Sequence, residues 1–137
     1  MSGIVLDASL TLSWCFPDEQ TALSTKVLDL LNTGEQAVVP AFWSVEILNA
    51  LLVGEKRQRI SPEQTQAFLV EILTLDAVLD YASLEQVCGV VQTISRDHHL
   101  TPYDALYVEL AMRLGFPLAT LDRNQLLAAR APGVECL

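Results

Sequence analysis

Four acidic residues far apart in the sequence, Asp7, Glu46, Asp104 and Asp122, could hold a divalent cation if the fold brings them together. Asp7 directly follows the apolar run Ile4-Val5-Leu6, and Asp122 follows Pro117–Leu121. Glu46 lies in the first turn of a helix expected to open at Trp43. Asp104 is the third residue of another helix, which Thr101 can cap and which Pro102 suits in its first turn. Carboxylates brought together repel, and their pKa values rise unless a cation is present. Oxygen-only ligands suit Mg²⁺ or Mn²⁺. Such an ion, or a pair about 3.5–4 Å apart, can activate water and hold a phosphodiester for in-line attack.

Each acid also has a plainer reading. Asp7 and Asp122 can be helix N-caps, and Gln125, three residues after Asp122, completes a capping pattern. An acid at the position of Asp104 favours the helix dipole. Glu46 can be a surface residue near a helix start. It fits that reading least, because apolar residues flank it and Asn49 extends its polar line at i,i+3.

The elements that must position these acids alternate between strand and helix. Short apolar strands are expected at Ile4–Leu6, Ala37–Val39, Ala77–Leu79 and Pro117–Leu121, with a possible fifth at Val134–Leu137. Helices are expected at Leu10–Phe16, from an Asp18 cap to Asn32, and at Trp43–Arg57. Ser61-Pro62-Glu63-Gln64 and Ser83-Leu84-Glu85-Gln86 are capping boxes. They open helices to Leu73 and Ile94, and Asp97–Leu100 reads as a loop. Thr101–Leu114 is the organising helix, apolar on most sides, with Glu109 and Arg113 paired at i,i+4 and Gly115 as terminator. Arg123–Ala131 is the last helix.

Such alternation predicts an α/β domain with a central parallel sheet of four to five strands, covered by helices on both faces. Ligands in these sheets bind beyond the strand carboxyl ends, at the switch point. Asp7 and Asp122 sit at such ends, so four acids far apart in sequence can meet at one sheet edge.

The 137 residues suit a single domain spanning 1–137, without repeats or linkers. Hydrophobic residues make up 51 % and mean hydropathy is +0.34, rich enough that a partner is expected to cover some apolar surface. We therefore expect a homodimer. No apolar run can span a membrane, and the start lacks the basic segment of a signal peptide. Cys15, Cys88 and Cys136 are an odd set without metal spacing, expected to be reduced core residues of a cytoplasmic protein. The net charge of −9 argues against a general polyanion binder, and it favours a protein partner that is basic where it docks.

Asp7-Ala8-Ser9, Trp43-Ser44-Val45-Glu46, Tyr103-Asp104-Ala105-Leu106-Tyr107 and Thr120-Leu121-Asp122-Arg123-Asn124 resemble the motifs of PIN-domain ribonucleases, above all the VapC-like toxins of toxin–antitoxin pairs. The resemblance covers essentially the whole chain. It implies a three-layer α/β/α PIN fold and a divalent-metal site made by Asp7, Glu46, Asp104 and Asp122. It implies that Ser9 supports Asp7 or a metal-bound water, with Asn49 and Asn124 as further supporting candidates. It also implies an RNA substrate and a cognate antitoxin, whose apolar helix would lie in a groove and send a basic side chain toward the carboxylates. Lys56, Arg57 and Arg59 read either as a soluble helix end or as a grip on RNA phosphates. Arg57 stands about 16 Å along the helix from Glu46.

Two other function classes compete with a metal-dependent endoribonuclease. An acidic-pocket phosphotransfer domain would need a lysine after a late strand, and none follows Thr120–Asp122. A non-catalytic PIN-fold interaction module would not need four intact acids. Neither glycine pattern of dinucleotide or P-loop folds occurs.

Overall fold

The structure is a computed structural model and describes residues 2–137. Strand β1 (Gly3–Leu6) leads into helix α1 (Ala8–Ser13), and a 3₁₀ turn at Pro17–Glu19 precedes α2 (Ala22–Asn32). Then follow β2 (Gln36–Pro40), α3 (Trp43–Lys56), α4 (Pro62–Thr74) and β3 (Val78–Asp80). A short helix α5 (Leu84–Gln86) continues through a π-helical segment, Val87–Val91, into α6 (Gln92–His98). Helix α7 (Pro102–Leu114), β4 (Leu118–Ala119) and α8 (Arg123–Arg130) complete the chain.

All strands are parallel, in the order β3-β2-β1-β4. The expected parallel sheet flanked by helices is present, with four strands. The strand order reverses direction between β1 and β4, so the switch point lies between them. Leu6 pairs with Ala119, which puts the next residues, Asp7 and Thr120, side by side. One group of helices, α1 to α4, packs mainly within itself. Helices α6, α7 and α8 form the other, and α7 lies directly against β1, β2 and β4. The core is built from strands β1, β2 and β4 and from Leu10, Val27, Ile47, Leu51, Tyr107 and Leu110. Parallel strands buried on both faces read as continuous apolar runs, as β1 and β2 do.

Several elements differ from expectation for identifiable reasons. Thr21 caps α2 in place of Asp18, because Thr21 and Ser24 complete a reciprocal box. Asp18 instead joins the 3₁₀ turn and accepts from Arg59 at 3.0 Å. The helix expected to end at Ile94 runs to His98, and His99 closes it in the left-handed conformation at φ 54°. The carboxyl-terminal strand reduces to one bridge, Cys136 to Leu118. Cys88 is exposed rather than in the core. No helix of the described residues is long and apolar enough to cross a membrane.

Candidate active site

Asp7 is the most buried of the four acids, 5 % exposed. It caps α1, and its Oδ2 accepts from the Ser9 backbone N–H at 3.0 Å. That oxygen also accepts from the Ser9 hydroxyl and lies 3.1 Å from Thr120 Oγ1. Its Oδ1 accepts from Gln125 Nε2 at 3.2 Å. Burial pushes the Asp7 carboxyl above its usual range, against the pull of these donors. Ser9 also accepts from the Leu121 N–H at 3.2 Å, so it stitches the end of β1 to the chain leaving β4.

Asp122 does cap α8, accepting from the Gln125 N–H at 3.0 Å. The capping box anticipated there does not close. At Ser61/Gln64 and Ser83/Gln86 the glutamine reaches back to the cap N–H. Gln125 turns inward to Asp7, and Thr120 Oγ1 takes the Asp122 N–H at 2.9 Å. A buried carboxylate is the stronger acceptor for an amide donor, and charge-assisted bonds are the stronger ones.

Glu46 is brought to the same edge by side-chain contacts between the start of α3 and the first turns of α7. Phe42, just before α3, meets the rings of Tyr103 and Tyr107 edge-on, with centroids 5.3 and 5.8 Å away. Tyr107 is fully buried and donates its hydroxyl to Glu46 Oε1 at 2.6 Å. Burial raises the Glu46 pKa, and the charges of Asp7 and Asp104 raise it further, while the Tyr107 bond opposes them. Burial also pushes the Tyr107 hydroxyl far upward, so it stays a donor.

For Asp104 the structure separates capping from the carboxylate. Thr101 Oγ1 caps α7 by accepting from the Asp104 backbone N–H at 3.2 Å. The Asp104 carboxylate is therefore not consumed as a cap. Its pKa is raised first by burial and then by the charges of Asp7 and Asp122, while a hydrogen bond with Thr101 opposes them. The acids thus act on one another across the switch point. Coulomb coupling reaches further than ligand distance, however. Among the described residues no three Asp, Glu, His or Cys side chains form a preformed cation cage.

The remaining candidates lie further out. Asn49 and Asn124 are exposed, one turn beyond Glu46 and in the first turn of α8 respectively. Lys56 and Arg57 are exposed at the far end of α3. Arg59 is already engaged by Asp18 and Glu19 and stacks over Phe16 at 4.3 Å. Thr120, Gln125 and Tyr107 were not anticipated as partners of the acids. Thr120 and Tyr107 lie inside the motif stretches, whereas Gln125 was disguised by its capping position.

A family model of the PIN domain matches residues 4–131. Ribonuclease VapC3 of Pyrobaculum aerophilum is 26 % identical over 131 residues, covering 96 % of each chain. PAE2754 from Pyrobaculum aerophilum superposes with a TM-score of 0.73 at 21 % identity, covering 94 % of this chain and 86 % of that one. FitAcB from Neisseria gonorrhoeae superposes at 0.67 with 17 % identity, covering 98 % and 96 %. These likenesses extend over nearly the full chain, and with the family model spanning residues 4–131 the chain belongs to the PIN-domain family.

Proposed function

We propose that this chain is a divalent-metal-dependent endoribonuclease, the toxin of a toxin–antitoxin pair. The observation that carries the reading is the electrostatic coupling of Asp7, Glu46, Asp104 and Asp122 across the β1/β4 switch point. The name of the VapC3 relative supports RNA as substrate. The donor set fits a hard cation: it is all oxygen and acidic, and burial raises the pKa of Asp7, Glu46 and Asp104 within it. A bound Mg²⁺ or Mn²⁺ would supply activation of water and neutralisation of phosphate charge.

The chain's own residues prepare that chemistry. Ser9 and Gln125 fix the two oxygens of Asp7. Tyr107 holds Glu46 by one oxygen. Asp104 lies in the first turn of α7, where Thr101 rather than its own carboxylate supplies the cap. The exposed Lys56 and Arg57 are read as the grip on RNA phosphates, and Asn49 and Asn124 as supports of the acids.

The proposal includes a homodimer and an antitoxin. Val45, Leu48 and Leu52 recur along one side of α3 and are 66, 40 and 45 % exposed. That apolar stripe supports a covered face. The net charge of −9 suits a basic antitoxin segment. The proposed compartment is the cytoplasm.

The purified chain is expected to cut single-stranded or loop RNA with Mg²⁺ or Mn²⁺ and to stop on chelation. Undiminished cleavage in chelator would overturn the metal mechanism.

A further inference from the structure

Gln125 is fully buried, although an amide in the interior needs partners at both ends. Its Nε2 donates to Asp7 Oδ1 and to the backbone carbonyl of Asp104, each at 3.2 Å. Its Oε1 accepts from Thr120 Oγ1 at 2.6 Å. The amide can sit only one way round. Turned over, its oxygen would face a carboxylate and a carbonyl with no donor between them. Thr120 has a single hydroxyl hydrogen and two acceptors in reach, Gln125 Oε1 at 2.6 Å and Asp7 Oδ2 at 3.1 Å. The shorter contact takes it, and Ser9 then serves Oδ2. For Oδ1, Gln125 is the donor that the structure provides.

One nitrogen therefore ties two parts of the site that no strand pairing joins: the acid at the end of β1 and the first turn of α7. We propose that Gln125 is a positioning residue that sets the spacing of the Asp7 and Asp104 carboxylates for a shared divalent cation. This rests on the reading of the acids as a cation site. Gln125 touches neither substrate nor cation; it acts through Asp7 and through the backbone of Asp104.

The test is calorimetric titration of the purified chain with Mn²⁺, beside thermal melting in chelator and RNA cleavage. Gln125→Met keeps the length and removes the amide. Its Mn²⁺ dissociation constant is expected to rise about 10–100-fold, the usual effect of removing a partner that orients a metal ligand. Cleavage is expected to lose kcat at saturating Mn²⁺ with KM for RNA retained. Gln125→Asn keeps an amide but withdraws it by one carbon, so it covers the case in which Gln125→Met does not fold. It is expected to shift Mn²⁺ affinity in the same direction. A residue that only packs would lower the melting temperature and leave the affinity unchanged; that result in the folded variants would overturn the inference alone. Absence of Mn²⁺ binding by the unmodified chain would overturn the cation-site reading, and the inference with it.

Discussion

The chain buries acids in two places and treats them in opposite ways. On α7, Glu109 is 3 % exposed and accepts from Arg113 Nε at 2.8 Å. The same guanidinium forks onto Asp80 at the end of β3, at 3.1 and 2.6 Å. Arg113 is correspondingly held more firmly protonated by Asp80 and Glu109. At the other cluster, Asp7 and Glu46 receive only neutral donors: Ser9, Gln125 and Tyr107. Among the described residues no lysine or arginine pairs with any of the four site acids. Where acids serve the fold, the sequence supplies the cation at i,i+4. Where they line the switch point, it supplies hydrogen bonds that orient negative charge without cancelling it.

The largest effect on folding is expected where the cation that covers the buried Glu109 is removed. Arg113→Met strands Glu109 in the interior and should lower stability by about 3 kcal/mol, the scale for breaking a buried pair from one side. That corresponds to a fall of about 6–12 °C in melting temperature for a chain of this size. Cleavage per folded molecule should hardly change, because Arg113 bonds to none of the site acids. A large loss of cleavage by the folded variant would collapse the distinction between the two clusters.

A smaller effect is expected from pH, in chelator. Asp7, Glu46 and Asp104 bind protons more tightly in the folded chain than in the unfolded one. Between their ordinary and raised pKa values the folded state therefore carries more protons. The contribution of these groups to stability falls as pH rises through that window and stays low above it. Melting across that window should show the decline, and Mn²⁺ should flatten it by compensating the charge. A contribution that instead grew with pH would mean that the carboxylates are already compensated.

Much of this was legible in residue pattern, for physical reasons. The buried strands announced themselves as apolar runs, and the parallel sheet followed from their alternation with helices. The placement of Asp7 and Asp122 beyond strand ends followed from the same pattern. The partners of the acids were less legible. Gln125 obeys the same three-residue spacing as Gln64 and Gln86, and a cap is the local use of that spacing. Only the register of β1 on β4 brings Asp7 within its reach, and that pairing spans more than a hundred residues. Asp18 misled for the converse reason: an acid before a helix is a good cap until a competing Thr21–Ser24 box and a distant Arg59 claim both roles.

Asp104→Asn tests the central claim most directly, because Thr101 already supplies the cap and the substitution changes only the carboxylate. Melting with and without Mn²⁺ and RNA cleavage should be measured on one preparation. The expected result is a melting temperature in chelator that holds or rises, since repulsion from Asp7 and Asp122 is relieved. The Mn²⁺-induced rise should shrink, and cleavage should fall to background. Cleavage at the unmodified rate by folded Asp104→Asn protein would contradict the assignment of this edge as the active site.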